Sequence, residues 1–251
     1  VIDRVDVLGV HISAVNMDMA VAEIGRWIDQ GERHYVCVTG VHGVMESQGD
    51  TDLVRIHNES GLTTPDGMPM VWAGHRAGAA WMERVYGPDL MLAVFTEAIN
   101  RGWKMFFYGG AEGVVDDLED RMWLRFPAVS VVGSYTPPFR PLTTEEGEEV
   151  VQLINDSGAD IVWIGMSTPK QEKWMDQFRS LLQPAALIGV GAAFDIHAGR
   201  LSQAPRWMQR TGTEWLYRLL KEPRRLWRRY LSNNPRFVWK IWRRPPRFVE
   251  I

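Results

Sequence analysis

Two rhythms of apolar residues alternate along the first two hundred positions. Short runs that are apolar almost throughout, at 35–39, 104–108, 129–132, 160–165 and 186–190, read as strands buried on both faces. Segments at 112–125, 144–155 and 169–182 repeat their apolar residues at helical spacing. The second of these helices opens on Thr-Thr-Glu-Glu and the third carries proline in its first turn. Residues 5–12 read as a further strand, and Asn16 as the cap of a helix whose Ala20, Ile24 and Ile28 share one face. Residues 41–60 are helical. Buried strands joined by helical crossovers predict an α/β fold, a mostly parallel sheet flanked by helices, with ligands beyond the carboxyl ends of the strands.

No internal repeat or low-complexity linker interrupts the pattern. It predicts an α/β domain over 1–198 and a basic, aromatic-rich helical appendage over 199–251. The appendage's principal helix is expected from near Pro205 to beyond Glu214, with a break or kink at Pro223. Residues after Pro235, rich in proline and arginine, are expected to stay disordered until something anionic binds.

Charge sharpens this division. The net charge of -3 combines +11 over residues 200–251 with -14 over residues 1–199. Trp207, Trp215, Tyr217, Trp227, Tyr230, Phe237, Trp239 and Trp242 interleave with the basic residues. That mixture suits an interface apolar on one side and anionic on the other, and both a membrane surface and a nucleic acid qualify. No apolar run is long enough for a spanning helix, and the charged opening residues do not form the apolar core of a signal peptide. The single cysteine, Cys37, excludes an internal disulfide and sits in an apolar run that predicts an inert buried thiol.

Candidate chemistry lies where strands end. Asp66, in Pro65-Asp66-Gly67, is either a turn carboxylate bonded to its own backbone or a general base. Gly109 and Gly110 follow a strand and open a helix, so they form either a tight structural turn or a place where amides approach a diphosphate or sugar. Pro169-Lys170-Gln171-Glu172 starts a helix directly after a strand. Taken alone it is an exposed first turn; in a site, Gln171 reaches into the pocket. The six histidines and one cysteine show no metal-ligand spacing, and the acidic run 116–120 reads as a solvated helix face, so neither metal nor cofactor is expected. Without an ion, arginines must compensate any diphosphate charge.

Taken in order, these motifs resemble the WecG/TagA/CpsF glycosyltransferases over nearly the whole chain. The series runs Pro65-Asp66-Gly67, Glu83-Arg84-Val85-Tyr86-Gly87-Pro88-Asp89-Leu90, Phe107-Tyr108-Gly109-Gly110 and Pro169-Lys170-Gln171-Glu172-Lys173-Trp174. It continues with Gly189-Val190-Gly191-Ala192-Ala193-Phe194-Asp195, Ala204-Pro205-Arg206-Trp207-Met208, Glu214-Trp215-Leu216-Tyr217-Arg218-Leu219 and Glu222-Pro223-Arg224-Arg225-Leu226. The resemblance implies a Rossmann-like catalytic domain that transfers a sugar, typically of N-acetylmannosamine type, from a UDP-sugar to a polyprenyl-diphosphate-linked sugar, with inversion and without a metal.

By the same matching Asp66 is the general base and Thr39 an active-site threonine. Arg84 and Gln171 fall where the family has substrate-binding side chains, and Arg218, Arg225 and Arg228 where the appendage contacts the nucleotide diphosphate; Gly109, Gly110 and Asp195, within the quoted motifs, are counted as further substrate-binding candidates. The implied setting is the cytoplasmic, inner face of a bacterial membrane, with the tail on anionic lipid. Homo-oligomerisation stays open. Three positions depart from the family: Thr39-Gly40-Val41 replaces a common Thr-x-Asn, Gln203 a frequent basic residue and Thr213 a usual leucine.

UDP-glucuronic acid or UDP-glucose, used in capsule or exopolysaccharide assembly, is the alternative donor. A nucleic-acid-binding protein is the remote alternative; it explains the tail but leaves the polar strand ends of the acidic body without a purpose, so nucleic acid is not an expected partner. A nicotinamide-dependent oxidoreductase is disfavoured by the incomplete glycine turn.

Overall fold

The computed structural model describes residues 2–249, so the last two positions of the expected appendage lie outside it. In chain order the first elements are β1 (Arg4–Val7), β2 (Val10–Ser13), α1 (Met17–Gln30), β3 (His34–Thr39), α2 (Val41–Ser47), α3 (Thr51–Glu59), β4 (Leu62–Pro65), α4 (Met68–Ala77) and α5 (Gly87–Arg101). β5 (Lys104–Gly109), α6 (Val114–Arg125), β6 (Ser130–Tyr135), α7 (Thr144–Asp156), β7 (Ile161–Gly165), α8 (Lys170–Arg179), β8 (Ala186–Gly189) and α9 (Ala193–His197) follow. The chain ends in α10 (Arg206–Arg210), α11 (Glu214–Lys221), α12 (Pro223–Arg243) and β9 (Arg247–Val249). Among the described residues no helix is long and apolar enough to cross a membrane.

The expected α/β class holds. A six-stranded sheet has the order β4-β3-β8-β7-β5-β6, and the β3–β8, β8–β7, β7–β5 and β5–β6 pairs are all parallel. Contacts divide the chain into two compact units, one of residues 18–37 and 87–202, the other of residues 2–17, 38–86 and 203–249. β3 carries the chain across the division, with Cys37 closing one unit and Val38 opening the other.

The unit of residues 18–37 and 87–202 is built on the parallel strands. Phe107 stacks on Phe95 and meets Phe194 edge-on, and Phe95 also lies against Trp163, so aromatic rings fill the core on one face of β5 and β7. α7 starts at a capping box in which Thr143 and Glu146 satisfy each other's backbone amides. Cys37 is buried, as its apolar run predicts.

The other unit adds a three-stranded antiparallel sheet, β2-β1-β9, that apolar periodicity did not reveal. The strand expected over 5–12 is a hairpin: Leu8 and Gly9 both take positive φ, 59° and 94°, and turn the chain between β1 and β2. A leucine in the first of these positions hides the turn, because that place usually signals itself by Asn, Asp or Gly. Val5, Val7, Val10 and Ile12 pack with Val44, Met70, Met82 and Phe237. The Arg4 guanidinium, itself buried, donates to the carbonyls of His57, Asn58, Ser60 and Gly61 and so closes the open end of α3.

The tail is more ordered and more divided than expected. One helix from Pro205 past Glu214 is in fact two, α10 and α11, separated at Gly212 (φ 70°), where a Cβ would come within 2.7 Å of the Trp72 ring. Pro223 does mark a break, since α11 ends at Lys221 and α12 starts at the proline. Among the described residues the disorder expected after Pro235 is not found. α12 runs through that proline, Phe237 is buried in the core, Lys240 donates to Gln48, Arg244 pairs with Asp6 and β9 pairs with β1.

Candidate active site

Asp66 stands between the end of β4 and α4, beside the end of β3. Its amide donates to the Thr39 carbonyl at 3.0 Å, and Gly67, with φ 90°, turns the chain into α4. Gly40 is needed here. A Cβ on it would lie 2.7 Å from the Asp66 carbonyl oxygen, so the residue after Thr39 must lack a side chain for the two strand ends to approach. Val41, where family members commonly carry asparagine, packs against the apolar core instead.

Arg84, Glu214, Arg218 and Arg229 act on this carboxylate, and Tyr86 lies among them. Arg84 donates to Glu214 Oε2 at 2.5 Å and to Gln209 Oε1 at 2.9 Å, and its guanidinium lies 4.0 Å from the centre of the Tyr86 ring. Arg218, on α11, donates to the Tyr86 hydroxyl at 2.9 Å and pairs with Glu214 at 3.2 Å. Arg229, on α12, adds a third cation whose charge reaches Asp66 and Arg218. Glu214 therefore ties Arg84 and Arg218 into one frame, and Tyr86 is sandwiched between their charges.

The electrostatics follow from burial. It pushes the Asp66 carboxyl above its ordinary value; Arg84, Arg218 and Arg229 pull it down, and Glu214 pushes it further up. Burial raises the Tyr86 phenol well above its usual range, so this hydroxyl stays protonated. For Arg218 burial disfavours the charge, but Tyr86, Glu214, Tyr230 and Asp66 outweigh it and hold the guanidinium charged.

Three buried polar atoms of this cluster have no hydrogen-bond partner: Thr39 Oγ1, Arg84 Nε and Arg229 Nε. Unpaired donors beside a carboxylate are what an active site leaves open for a ligand.

Not every residue singled out in the sequence joins the cluster. Arg225 is exposed and pairs with Glu222 at 2.5 Å. Arg228 is exposed and lies over the neighbouring Trp227 ring. Tyr86 and Glu214 stood inside the quoted motifs without a role, and Arg229 was passed over for its neighbour. Helical phase would have found it: Leu226, Tyr230 and Phe237 mark the inner face of α12, and Arg229 shares it.

In the other unit the candidates cluster at the carboxyl ends of β5, β7 and β8. Gly109 and Gly110 have φ of 115° and 75°, and the Gly110 amide donates to Gly165 at 2.9 Å. A Cβ on Gly109 would meet the Gly165 backbone at 2.9 Å, so the turn demands glycine on steric grounds alone.

The exposed first turn expected at the start of α8 is instead buried: Gln171 is 3% exposed and Glu172 0%. Pro169 precedes this helix rather than lying in its first turn, and the Thr168–Pro169 peptide bond is cis. Glu172 Oε1 accepts from both Thr168 and Gln171, which leaves the Gln171 carbonyl oxygen buried and unpaired beside Gly191. Asp195 lies in α9 with its backbone carbonyl taken by the amides of Arg200 and Leu201. Among the described residues no group of three or more His, Cys, Asp or Glu side chains is arranged to hold a metal ion.

Comparison with known proteins supplies the frame for this geometry. An N-acetylglucosaminyldiphosphoundecaprenol N-acetyl-beta-D-mannosaminyltransferase of Bacillus spizizenii is 28% identical over 215 residues, which span 86% of this chain and 81% of the relative. The profile of the glycosyl transferase WecG/TagA/CpsF family matches residues 5–248, a stretch holding the carboxylate, the three guanidinium groups and the strand-end turns alike. The chain therefore belongs to the WecG/TagA/CpsF family and is a glycosyltransferase.

Proposed function

We propose that this enzyme transfers an N-acetylmannosamine-type sugar from a UDP-sugar to a polyprenyl-diphosphate-linked N-acetylglucosamine, with inversion and without a metal ion. The observation that carries the proposal is the pairing of one proton-accepting carboxylate, Asp66, with guanidinium groups that can receive a leaving diphosphate. The acceptor and sugar follow the activity named for the Bacillus spizizenii relative.

In the proposed reaction Asp66 takes the proton of the acceptor hydroxyl while that oxygen attacks the anomeric carbon of the donor. The bond from that carbon to the diphosphate oxygen breaks, and UDP departs with the electron pair. No hydrogen bond to the Asp66 carboxylate is formed among the described residues, which leaves it open to a substrate hydroxyl. A carboxylate raised by burial is a stronger base than one in water, and proton abstraction of this kind contributes about 10²- to 10⁴-fold. Arg84 and Arg218, held by Glu214 and Tyr86, face the charge that grows on the diphosphate, and preorganised donors are worth about 3–4 kcal/mol each in transition-state stabilisation. Thr39 Oγ1, buried and unpaired, is a further group for the sugar. Gln171, Arg225 and Arg228 are assigned to substrate by family matching, and Gly109, Gly110 and Asp195 stand beside them as further candidates from the quoted motifs.

We assign the tail a second task, attachment to an anionic membrane surface at the cytoplasmic face, where a polyprenyl-linked acceptor resides. Trp227, Leu231, Val238 and Trp242 form an exposed stripe along α12, flanked by arginines, as an interfacial helix requires.

The test is UDP release from a panel of UDP-sugars, including UDP-N-acetylmannosamine, UDP-glucuronic acid and UDP-glucose, with a short-chain polyprenyl-diphosphate-N-acetylglucosamine acceptor in EDTA. Acceptor-dependent release from UDP-N-acetylmannosamine that survives EDTA is expected. Preference for another donor, or loss of turnover in EDTA, would overturn the corresponding part of the proposal.

A further inference from the structure

The first turn of α8 holds a buried carboxyl, Glu172, for which the proposed reaction has no use. Gln171, Trp174, Met175 and Phe178 lie at i, i+3, i+4 and i+7 and form the inner face of this helix. Trp174 stacks on Tyr108 of β5 with ring centres 4.2 Å apart and anchors that face. Gly189, at the end of β8, makes room for the Gln171 amide: a Cβ there would lie 3.0 Å from Gln171 Nε2 and 2.9 Å from Met175 Cε.

Hydrogen bonding then fixes which way round that amide stands. Glu172 Oε1 acts as an acceptor, so it meets the amide's nitrogen, at 3.1 Å, and the Gln171 carbonyl oxygen turns away toward Gly191. Thr168, in the turn before the helix, donates to the same Oε1 at 2.8 Å and holds the carboxyl itself in place. Burial pushes the Glu172 carboxyl above its ordinary value, while its own amide, Thr168 and Gln171 pull it down; no cation is among these influences. Oε2, buried and without a hydrogen-bond partner, is the oxygen free to carry a proton, so Oε1 accepts in either protonation state.

We infer that Glu172 is a positioning residue of the transferase, holding the Gln171 amide so that its carbonyl oxygen meets a hydrogen-bond-donating group of the UDP-sugar. This role rests on Gln171 being a substrate contact, as family matching has it, and deepens that reading. Gln171 Oε1 is buried with no partner within the protein, and a donor group on the substrate would supply one. The chemistry it accepts is an O–H or N–H, from either a sugar or the uracil. Phosphate oxygens are acceptors too and are repelled, so the diphosphate is not what Gln171 reads.

The experiment joins steady-state turnover with calorimetric UDP titration of the full chain. It compares the parent with Glu172→Met, Glu172→Gln, Gln171→Ala and the Gln171→Ala, Glu172→Met pair, with folding checked by thermal unfolding. Glu172→Met removes the acceptor at similar side-chain length. It should lower kcat/KM about 10-fold or more for the UDP-sugar of the panel that the parent uses, as the amide loses its orientation. Glu172→Gln keeps a carbonyl oxygen for Thr168 and Gln171 to donate to, so it should recover most of that loss. In the Gln171→Ala background, Glu172→Met should add less than about twofold, because the group it positions is already gone. A UDP affinity that falls together with kcat/KM places the donor group on the uracil, and an unchanged UDP affinity places it on a sugar. Parent-like kcat/KM in a folded Glu172→Met, or an equal further loss in the Gln171→Ala background, would overturn this inference alone. Parent-like turnover in Gln171→Ala would overturn the reading of Gln171 as a substrate contact, and the inference with it.

Discussion

Asp66 works under opposed influences, burial that favours its protonated form and three cations that favour the ionised one. Their balance predicts a pH profile. A protonated Asp66 cannot accept the acceptor's proton, and its folded-state pKa is raised, so kcat/KM should fall as pH is lowered through an apparent pKa above the ordinary 3.8. An acid limb at or below that value would contradict the assignment.

What the sequence disclosed at this scale is uneven. Asp66 and Thr39 stand at strand ends and were legible there, whereas Arg84 and Arg218 entered only through the family resemblance. Gln171 was legible only through its motif, and Glu172 was misread, because a Pro-Lys-Gln-Glu first turn looks solvated until the strand ends close around it. At Gly109 the clash of a Cβ with the Gly165 backbone accounts for the glycine by itself.

Helix α12 of the tail has two faces of different character. The inner face of α12 brings Phe237 into the core with Val5, Val7 and Met70, and β9 adds a strand to β1. Phe237→Ala should therefore cost about 3–5 kcal/mol in denaturant unfolding, whereas a loosely attached tail would show a change below about 1 kcal/mol. The outer face carries Trp239 and Trp242, 55% and 74% exposed, among arginines. Replacing both by serine should reduce co-flotation with vesicles containing anionic lipid while leaving UDP affinity unchanged; undiminished flotation would remove this face from the membrane contact.

The pattern of prolines and arginines after Pro235 suggested disorder because local propensity ignores the tertiary partners that hold this segment. The hairpin at Leu8 and Gly9 and the separation of α10 from α11 escaped notice for related reasons. One turn lacks its usual polar residue, and the other depends on the fit of Gly212 against Trp72.

On the scale of the whole molecule the parallel strands were legible from their unbroken apolar runs, and the basic tail from a charge difference of +11 against -14. The antiparallel sheet was not, because its strands are short and its third member comes from the far end of the chain. In the proposed reaction Asp66 is the base, and Arg84 with the cations of the tail helices stands against the departing diphosphate. On that proposal one carboxylate, Asp66, is required for chemistry and not for folding.

The most direct measurement is the turnover of Asp66→Asn with saturating donor and acceptor, alongside its thermal unfolding. A loss of about 10²-fold or more in kcat in a variant that unfolds at or above the parent temperature is the expected result. Parent-like turnover in the folded variant would remove Asp66 as the base and contradict the central claim.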